Sequence, residues 1–160
     1  MDISSTIIQK IHHQDYELAL DFIKKSYLEN ISLEDSKQGQ EYFIVHFLYS
    51  KETYLALNNQ TMQLYGYYIN QELAGVISLD IHGYIQFLFV DKTYLKQRIG
   101  TQLLDYVIAI AKKRNQNHVF LDSSLTSYPF YLKYGFVKKS DTCVTNGMHY
   151  IPMEYEIKKS

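Results

Sequence analysis

A strand–helix–strand passage in the middle of the chain constrains the fold most. "YIQFLFV" (residues 84–90) is a dense run of aromatic and β-branched residues. "YLKQRIGTQLLDYVIAIAKKR" (94–114) begins turn-like and becomes a helix, with Ile99, Leu103, Leu104, Val107, Ile110 and Ala111 on one apolar stripe. "NHVFLDSS" (117–124) reads as another strand. Two strands joined through a helix lie parallel in a sheet, and the helix packs back on that sheet. The stretch from Tyr84 to Leu121 therefore predicts a parallel crossover.

The flanks add antiparallel elements. "MQLYGYYIN", "ELAGVISLDI" and "YIQFLFV" are strand-like runs separated by Asn70-Gln71 and His82-Gly83, short enough for hairpins, and predict a three-strand meander. "FVKKSDTCV" and "HYIPMEYEI" form a final strand pair around Asn146-Gly147, a strong hairpin signal. Pro152 suits an edge or a bulge better than a central strand. Toward the N-terminus, "TIIQKI" reads as a strand. Ala19, Phe22, Ile23, Ser26 and Tyr27 then fall on one helical face. "ISLEDSKQGQ" reads as a loop, and "EYFIVHFLYS" and "KETYLALNN" as helices, the second capped by Ser50. "SYPFYLKYGF" is a short helix ended near Gly135. The fold class is α/β: a mixed, twisted central sheet of about six to seven strands flanked by helices.

With 160 residues and no low-complexity tract or linker, residues 1–160 read as one domain. A net charge of −1 lacks the basic footprint of a nucleic-acid binder. No run reaches the length of a membrane span, and the N-terminus lacks the pattern of a signal peptide. The single cysteine, Cys143, cannot form an internal disulfide, which points to a reducing, cytoplasmic location. The six histidines show no zinc spacing, so no metal is expected. Neither a Gly-x-Ser-x-Gly elbow nor a Walker loop is present.

One junction invites chemistry. A helix start presents free backbone N–H groups and the positive end of a dipole, which suits a phosphate. "QRIGT" opens the central helix, with Gly100 at the junction. Alone this is a helix start with one glycine.

The passage as a whole, "YIQFLFVDKTYLKQRIGTQLLDYVIAIAKK" followed by "LDSSLTSYPFYLKYGF", resembles the GNAT superfamily of acyl-CoA-dependent N-acetyltransferases. The family's cofactor loop, Gln/Arg-x-x-Gly-x-Gly/Ala, falls on Leu95, Arg98 and Gly100, of which only Gly100 matches. The family's Phe-Tyr-x-x-x-Gly-Phe helix is intact at Phe130, Tyr131, Gly135 and Phe136. "NGMHYIPMEY" also looks like bacterial members. The element order agrees over nearly the whole chain, more loosely in its N-terminal third.

The resemblance implies acetyl-CoA as cosubstrate. Its pantetheine arm would pair with the backbone of Leu88, Phe89 and Val90. Its pyrophosphate would lie on the amides of Lys96, Gln97, Arg98, Ile99, Gly100 and Thr101, and the Ser124 hydroxyl would bond the arm. Arg98, where the family has glycine, either clashes or pairs with a phosphate. Tyr131 would be the general acid. Attack by an amine expels a thiolate; a thiol has a pKa of about 8.5 and tyrosine about 10, so a phenol can hydrogen-bond or protonate the leaving sulfur.

The implied partner is a small-molecule amine or a peptide amine. A lysine-type amine is neutral about once in a few thousand molecules at pH 7, so a base matters, and Asp80, His82, Gln86, Asp122 and His149 all remain open for that role. Tyr42, Phe43 and Phe47, or Glu34, Asp35 and Glu41, lie where an acceptor would bind but read more simply as core and solvated face. A second reading keeps the fold without catalysis, as an acyl-CoA-sensing or protein-interaction module. A homodimer is compatible with the sequence.

Overall fold

A computed structural model describes residues 5–159, so residues 1–4 and 160 of the single-domain reading lie outside the described residues. The chain runs β1 (Thr6–Lys10), α1 (Tyr16–Asn30), α2 (Lys37–Glu41), a π-helical segment (Tyr42–Leu48) and α3 (Lys51–Asn58). Then come β2 (Met62–Ile69), β3 (Glu72–Asp80), β4 (Tyr84–Ile85), β5 (Leu88–Val90) and α4 (Ile99–Lys113). The chain ends with β6 (His118–Ser123), α5 (Tyr128–Tyr134), β7 (Val137–Lys138), β8 (Cys143–Thr145) and β9 (Met148–Glu156).

The strands form two sheets, ordered β1-β2-β3-β5 and β4-β6-β9-β7, with β8 on β9. The expected crossover is present: β4 and β6 pair in parallel around α4, whose residues Ile99, Leu103, Leu104, Val107 and Ala111 are all buried. On the opposite face, α1 brings Leu20, Ile23 and Tyr27 against Leu64, Val76 and Phe87. The β2–β3 turn holds Asn70 and Gln71 at φ 50° and 71°, the left-handed pair that a two-residue hairpin needs.

"YIQFLFV" is not one strand, and its break matters most. β4 belongs to the second sheet and β5 to the first, where it pairs with β3. The cause is Ser78 on β3, fully buried. Its hydroxyl accepts the N–H of Gln86 at 3.0 Å and of Phe87 at 2.9 Å, while its own N–H donates to the Phe87 carbonyl at 2.9 Å. The side chain thus satisfies the two amides that a bulge would orphan. Past this point the chain diverges from β6, and the sheets part.

"FVKKSDTCV" also divides, into β7 and β8, which pair separately with β9. β9 is therefore central between β6 and β7, and Pro152 does not mark an edge. Its carbonyl accepts from Lys139 N, just past the end of β7, so its missing N–H faces that frayed end and not β6. "SLEDSKQGQ" is more ordered than a loop: Ser36 caps α2 by accepting from Gly39 N at 3.1 Å. Gly39 then lies backbone to backbone against Gly147 at the β8–β9 turn, where a Cβ would collide with the Gly147 carbonyl. Gly39→Ala should destabilise the fold by about 1–3 kcal/mol, read by urea unfolding, because backbone cannot yield as a side chain can. A neutral result would contradict this contact.

Candidate active site

The parted strands leave β5 as the edge of its sheet. Ser78 N donates to Phe87 O and Asp91 N to Ala74 O, so alternate residues of this segment face β3. The intervening residues, Leu88 and Val90, turn their backbone N–H and C=O groups to the open edge. Phe89 is the exception among the three candidates. Its backbone faces Val76 on β3, and its ring lines the cleft instead.

After β5 the chain turns into α4. Lys96 and Arg98 take left-handed backbone, at φ 69° and 64°, and Arg98 is the N-cap. The first bond along the helix is Gln102 N to Arg98 O at 3.0 Å. The amides of Ile99, Gly100 and Thr101 therefore have no partner among the described residues. Lys96, Gln97 and Arg98 stand exposed beside them. Arg98, at the position where the family pattern has glycine, thus takes the left-handed backbone itself. That region costs a side-chain-bearing residue about 1–2 kcal/mol, part of which glycine returns as unfolded-chain entropy. Arg98→Gly should accordingly stabilise the free protein by about 0.5–1 kcal/mol in denaturant unfolding. A loss of stability would argue against the left-handed turn.

Gly100 serves a different purpose from that expected of a cradle glycine. Its φ is not positive, and an added Cβ would lie 3.1 Å from Cζ of Phe130. Its bareness lets the Phe130 ring of α5 rest on the first turn of α4. The two motifs that stood apart in the sequence are in contact.

Tyr131, next to Phe130, is 6% exposed and lines a cleft of about 270 Å³ together with Leu88, Phe89, Ser124 and Ser127. Its hydroxyl has no hydrogen-bond partner among the described residues. Burial pushes the phenol above the ordinary tyrosine range, so it keeps its proton at any working pH. Its flanking tyrosines differ. Tyr134 donates to Asp105 on α4 at 2.6 Å and ties α5 down, and Tyr128 packs against the core. Ser124 accepts from Ser127 N at 3.1 Å, which leaves its own proton free to give.

The far wall of the cleft was poorly visible in the sequence. Tyr42, Phe43 and Phe47 of the π-helical segment line it, with Phe43 stacked on Tyr27 at 4.0 Å between centroids. Glu34 is not a solvated charge: its carboxylate accepts from the N–H groups of Leu125 and Thr126 and from the Thr126 hydroxyl, and so fixes the β6–α5 loop. Asp35 lines the cleft with its side chain 5% exposed, accepting from the Tyr27 hydroxyl and from His149 N. Asp122, at the end of β6, receives the Tyr84 hydroxyl. Burial, and then the facing carboxylate, raise the phenols of both Tyr27 and Tyr84. Among the described residues no three His, Cys, Asp or Glu side chains converge as a metal site would require.

Residues 31–157 match the model of the acetyltransferase (GNAT) domain. The chain belongs to the GNAT acetyltransferase family. An uncharacterized N-acetyltransferase, YafP, from Escherichia coli K12 is 35% identical over 68 residues, a match spanning 42% of this chain and 41% of that protein. A GCN5-related N-acetyltransferase from Rhodopseudomonas palustris shares the fold with a TM-score of 0.79 and 21% identity, over 98% of both chains. The PaiA N-acetyltransferase from Thermoplasma acidophilum, solved with coenzyme A, gives a TM-score of 0.73 and 23% identity over 95% of this chain and 99% of its own.

The GNAT family is one of acetyl-CoA-dependent acyltransferases. The residues present fit that cosubstrate: an open strand edge, unpaired amides at a helix start, and exposed Lys96 and Arg98 beside them. No helix among the described residues is long and apolar enough to cross a membrane.

Proposed function

We propose that the protein transfers an acetyl group from acetyl-CoA to the nitrogen of an amine by direct attack within a ternary complex, with Tyr131 as the acid. The observation that supports this reading is that the largely buried Tyr131 side chain lines the cleft beyond the open edge of β5, its hydroxyl without a hydrogen-bond partner among the described residues. Acetyl-CoA supplies an activated thioester when bound. The backbone groups of Leu88 and Val90 would pair with the amides of its pantetheine arm, as an added strand does. The amides of Ile99, Gly100 and Thr101 suit its pyrophosphate. Lys96 and Arg98 add charge-assisted donors, and Gln97 a neutral one. Ser124 donates its free proton to the arm.

The amine attacks the thioester carbon as the neutral base, its first proton having passed to solvent. The C–N bond forms, the C–S bond breaks, the second nitrogen proton leaves to water as the amide forms, and negative charge gathers on sulfur. Tyr131 meets that charge with its O–H. Its raised pKa makes full proton transfer harder. The same dry surroundings also raise the pKa of a departing thiol, so the gap between the two narrows. A hydrogen bond that strengthens as the charge develops lowers the barrier even where the proton moves late.

Release of free thiol from acetyl-CoA, followed against a panel of primary amines, tests the reading. Amine-dependent release supports it. CoA binding without turnover on any amine would favour the acyl-CoA-sensing module instead.

A further inference from the structure

The acceptor side of the cleft has a chemical character of its own. Eight of its lining side chains are phenylalanine or tyrosine, two are carboxylates, and no lysine or arginine is among them. Asp35 is the carboxylate of interest. A carboxylate this deeply buried ordinarily has a cationic partner, because removal from water is costly. Asp35 has neutral donors instead, the Tyr27 hydroxyl on one oxygen and the His149 backbone N–H on the other. The one side chain able to oppose its charge is His149, whose Nδ1 lies 3.7 Å away and forms no hydrogen bond. Asp122, also in the lining, is exposed to solvent and receives the Tyr84 hydroxyl. Neither lysine nor arginine lines the cleft, and the His149 imidazole opposes Asp35 only when protonated.

The remaining surroundings say what sort of cation fits. Tyr27 and Phe43 are stacked beside Asp35, and Phe47 and Phe89 pack on Phe43 at 5.8 Å and 6.0 Å between centroids. Aromatic faces attract organic cations and cover apolar bodies. Such walls give little to a sugar or a polyamine, whose many polar groups need partners that these rings cannot offer. A cleft of about 270 Å³ also limits the size of the acceptor.

On the acetyltransferase reading above, we infer that the acceptor is a small amine with a single cationic centre and an apolar, aryl or branched-alkyl body. Asp35 receives that centre, and the Tyr27–Phe43–Phe47 wall covers the body. Asp35 acts here as a specificity-determining residue that selects the charge before the chemistry.

Titration calorimetry on the complex with free CoA tests this without turnover. CoA binding is measured first, and then 2-phenylethylamine is compared with 2-phenylethanol, which keeps the body and lacks the charge. The amine should bind about tenfold or more tightly than the alcohol. Asp35→Asn, isosteric and uncharged, should abolish that preference while CoA affinity stays unchanged. Equal binding of amine and alcohol by the wild type overturns the inference, and this comparison needs no variant. So does a folded Asp35→Asn protein that retains the preference. Tighter binding of spermidine or kanamycin than of 2-phenylethylamine overturns the apolar-body part. Absence of CoA binding in the first titration overturns the acetyltransferase reading itself, whereas CoA binding without cation preference overturns only this inference.

Discussion

Tyr131→Phe should lower kcat by about 10²- to 10⁴-fold, the usual worth of a positioned acid, and leave acetyl-CoA affinity nearly unchanged. The substitution is clean for a structural reason. The hydroxyl has no hydrogen-bond partner among the described residues, so its removal orphans no donor or acceptor there. The ring contacts with Phe130 and Phe136, at 5.1 Å and 5.5 Å between centroids, survive in phenylalanine. On the proposed reading, what disappears is the O–H that would meet the sulfur as the thiolate forms, so the loss should fall on kcat more than on KM. Because burial raises the phenol's pKa, Tyr131 should contribute no alkaline limb to the rate profile below about pH 10. Steady-state kinetics with calorimetric cofactor affinities decide the matter. Full activity in the variant would remove Tyr131 from the chemistry.

Ser78→Ala should have the largest effect on stability. It removes the acceptor of two amides, the buried one of Phe87 and the part-buried one of Gln86, at the point where the sheets separate. A buried donor left unsatisfied costs about 1–3 kcal/mol and the part-buried one less, so a total of about 2–4 kcal/mol is expected. For a domain of this size that lowers Tm by roughly 5–15 °C. The effect should extend to the cleft, because the bulge held by Ser78 is what frees the edge of β5, and acetyl-CoA affinity should fall with stability. Denaturant unfolding and calorimetry measure both. A change under about 0.5 kcal/mol, typical of an ordinary surface site, would show that the parting of the strands has another cause.

The parts of this molecule legible in the sequence were those with a repeating physical signal. The α4 stripe shows a period of 3.6, and Asn146-Gly147 supplies two residues at positive φ, 52° and 86°. The parts that were not legible depend on single side chains meeting across the fold. Nothing in "GVISLDI" distinguishes Ser78 from any polar residue in a strand, yet it breaks the next strand in two. Pro152 followed a sound rule, but the rule concerns the direction of the missing N–H, and that direction depends on where β7 ends.

The site divides in the same way. Gly100, Phe130 and Tyr131 stood out by their motifs, though the contact between Gly100 and Phe130 gives the glycine a packing role that no motif describes. Arg98 departs from the family pattern in identity, yet takes a left-handed backbone, at φ 64°, that glycine adopts freely. Glu34 and Asp35 look alike in sequence, as neighbouring acids in a polar stretch. Their fates separate only when the β6–α5 loop and the last hairpin come to meet them, 91 and 114 residues further along.

The most direct measurement is the thermal stability of the protein with acetyl-CoA, with free CoA and with an unrelated nucleotide. A ligand at 100 times its Kd adds about 2.7 kcal/mol, so Tm should rise by roughly 5–10 °C with both CoA compounds and not with the nucleotide. No shift at millimolar CoA would mean that the open edge of β5 and the first turn of α4 hold no cofactor, and the acetyltransferase reading of this chain would fall.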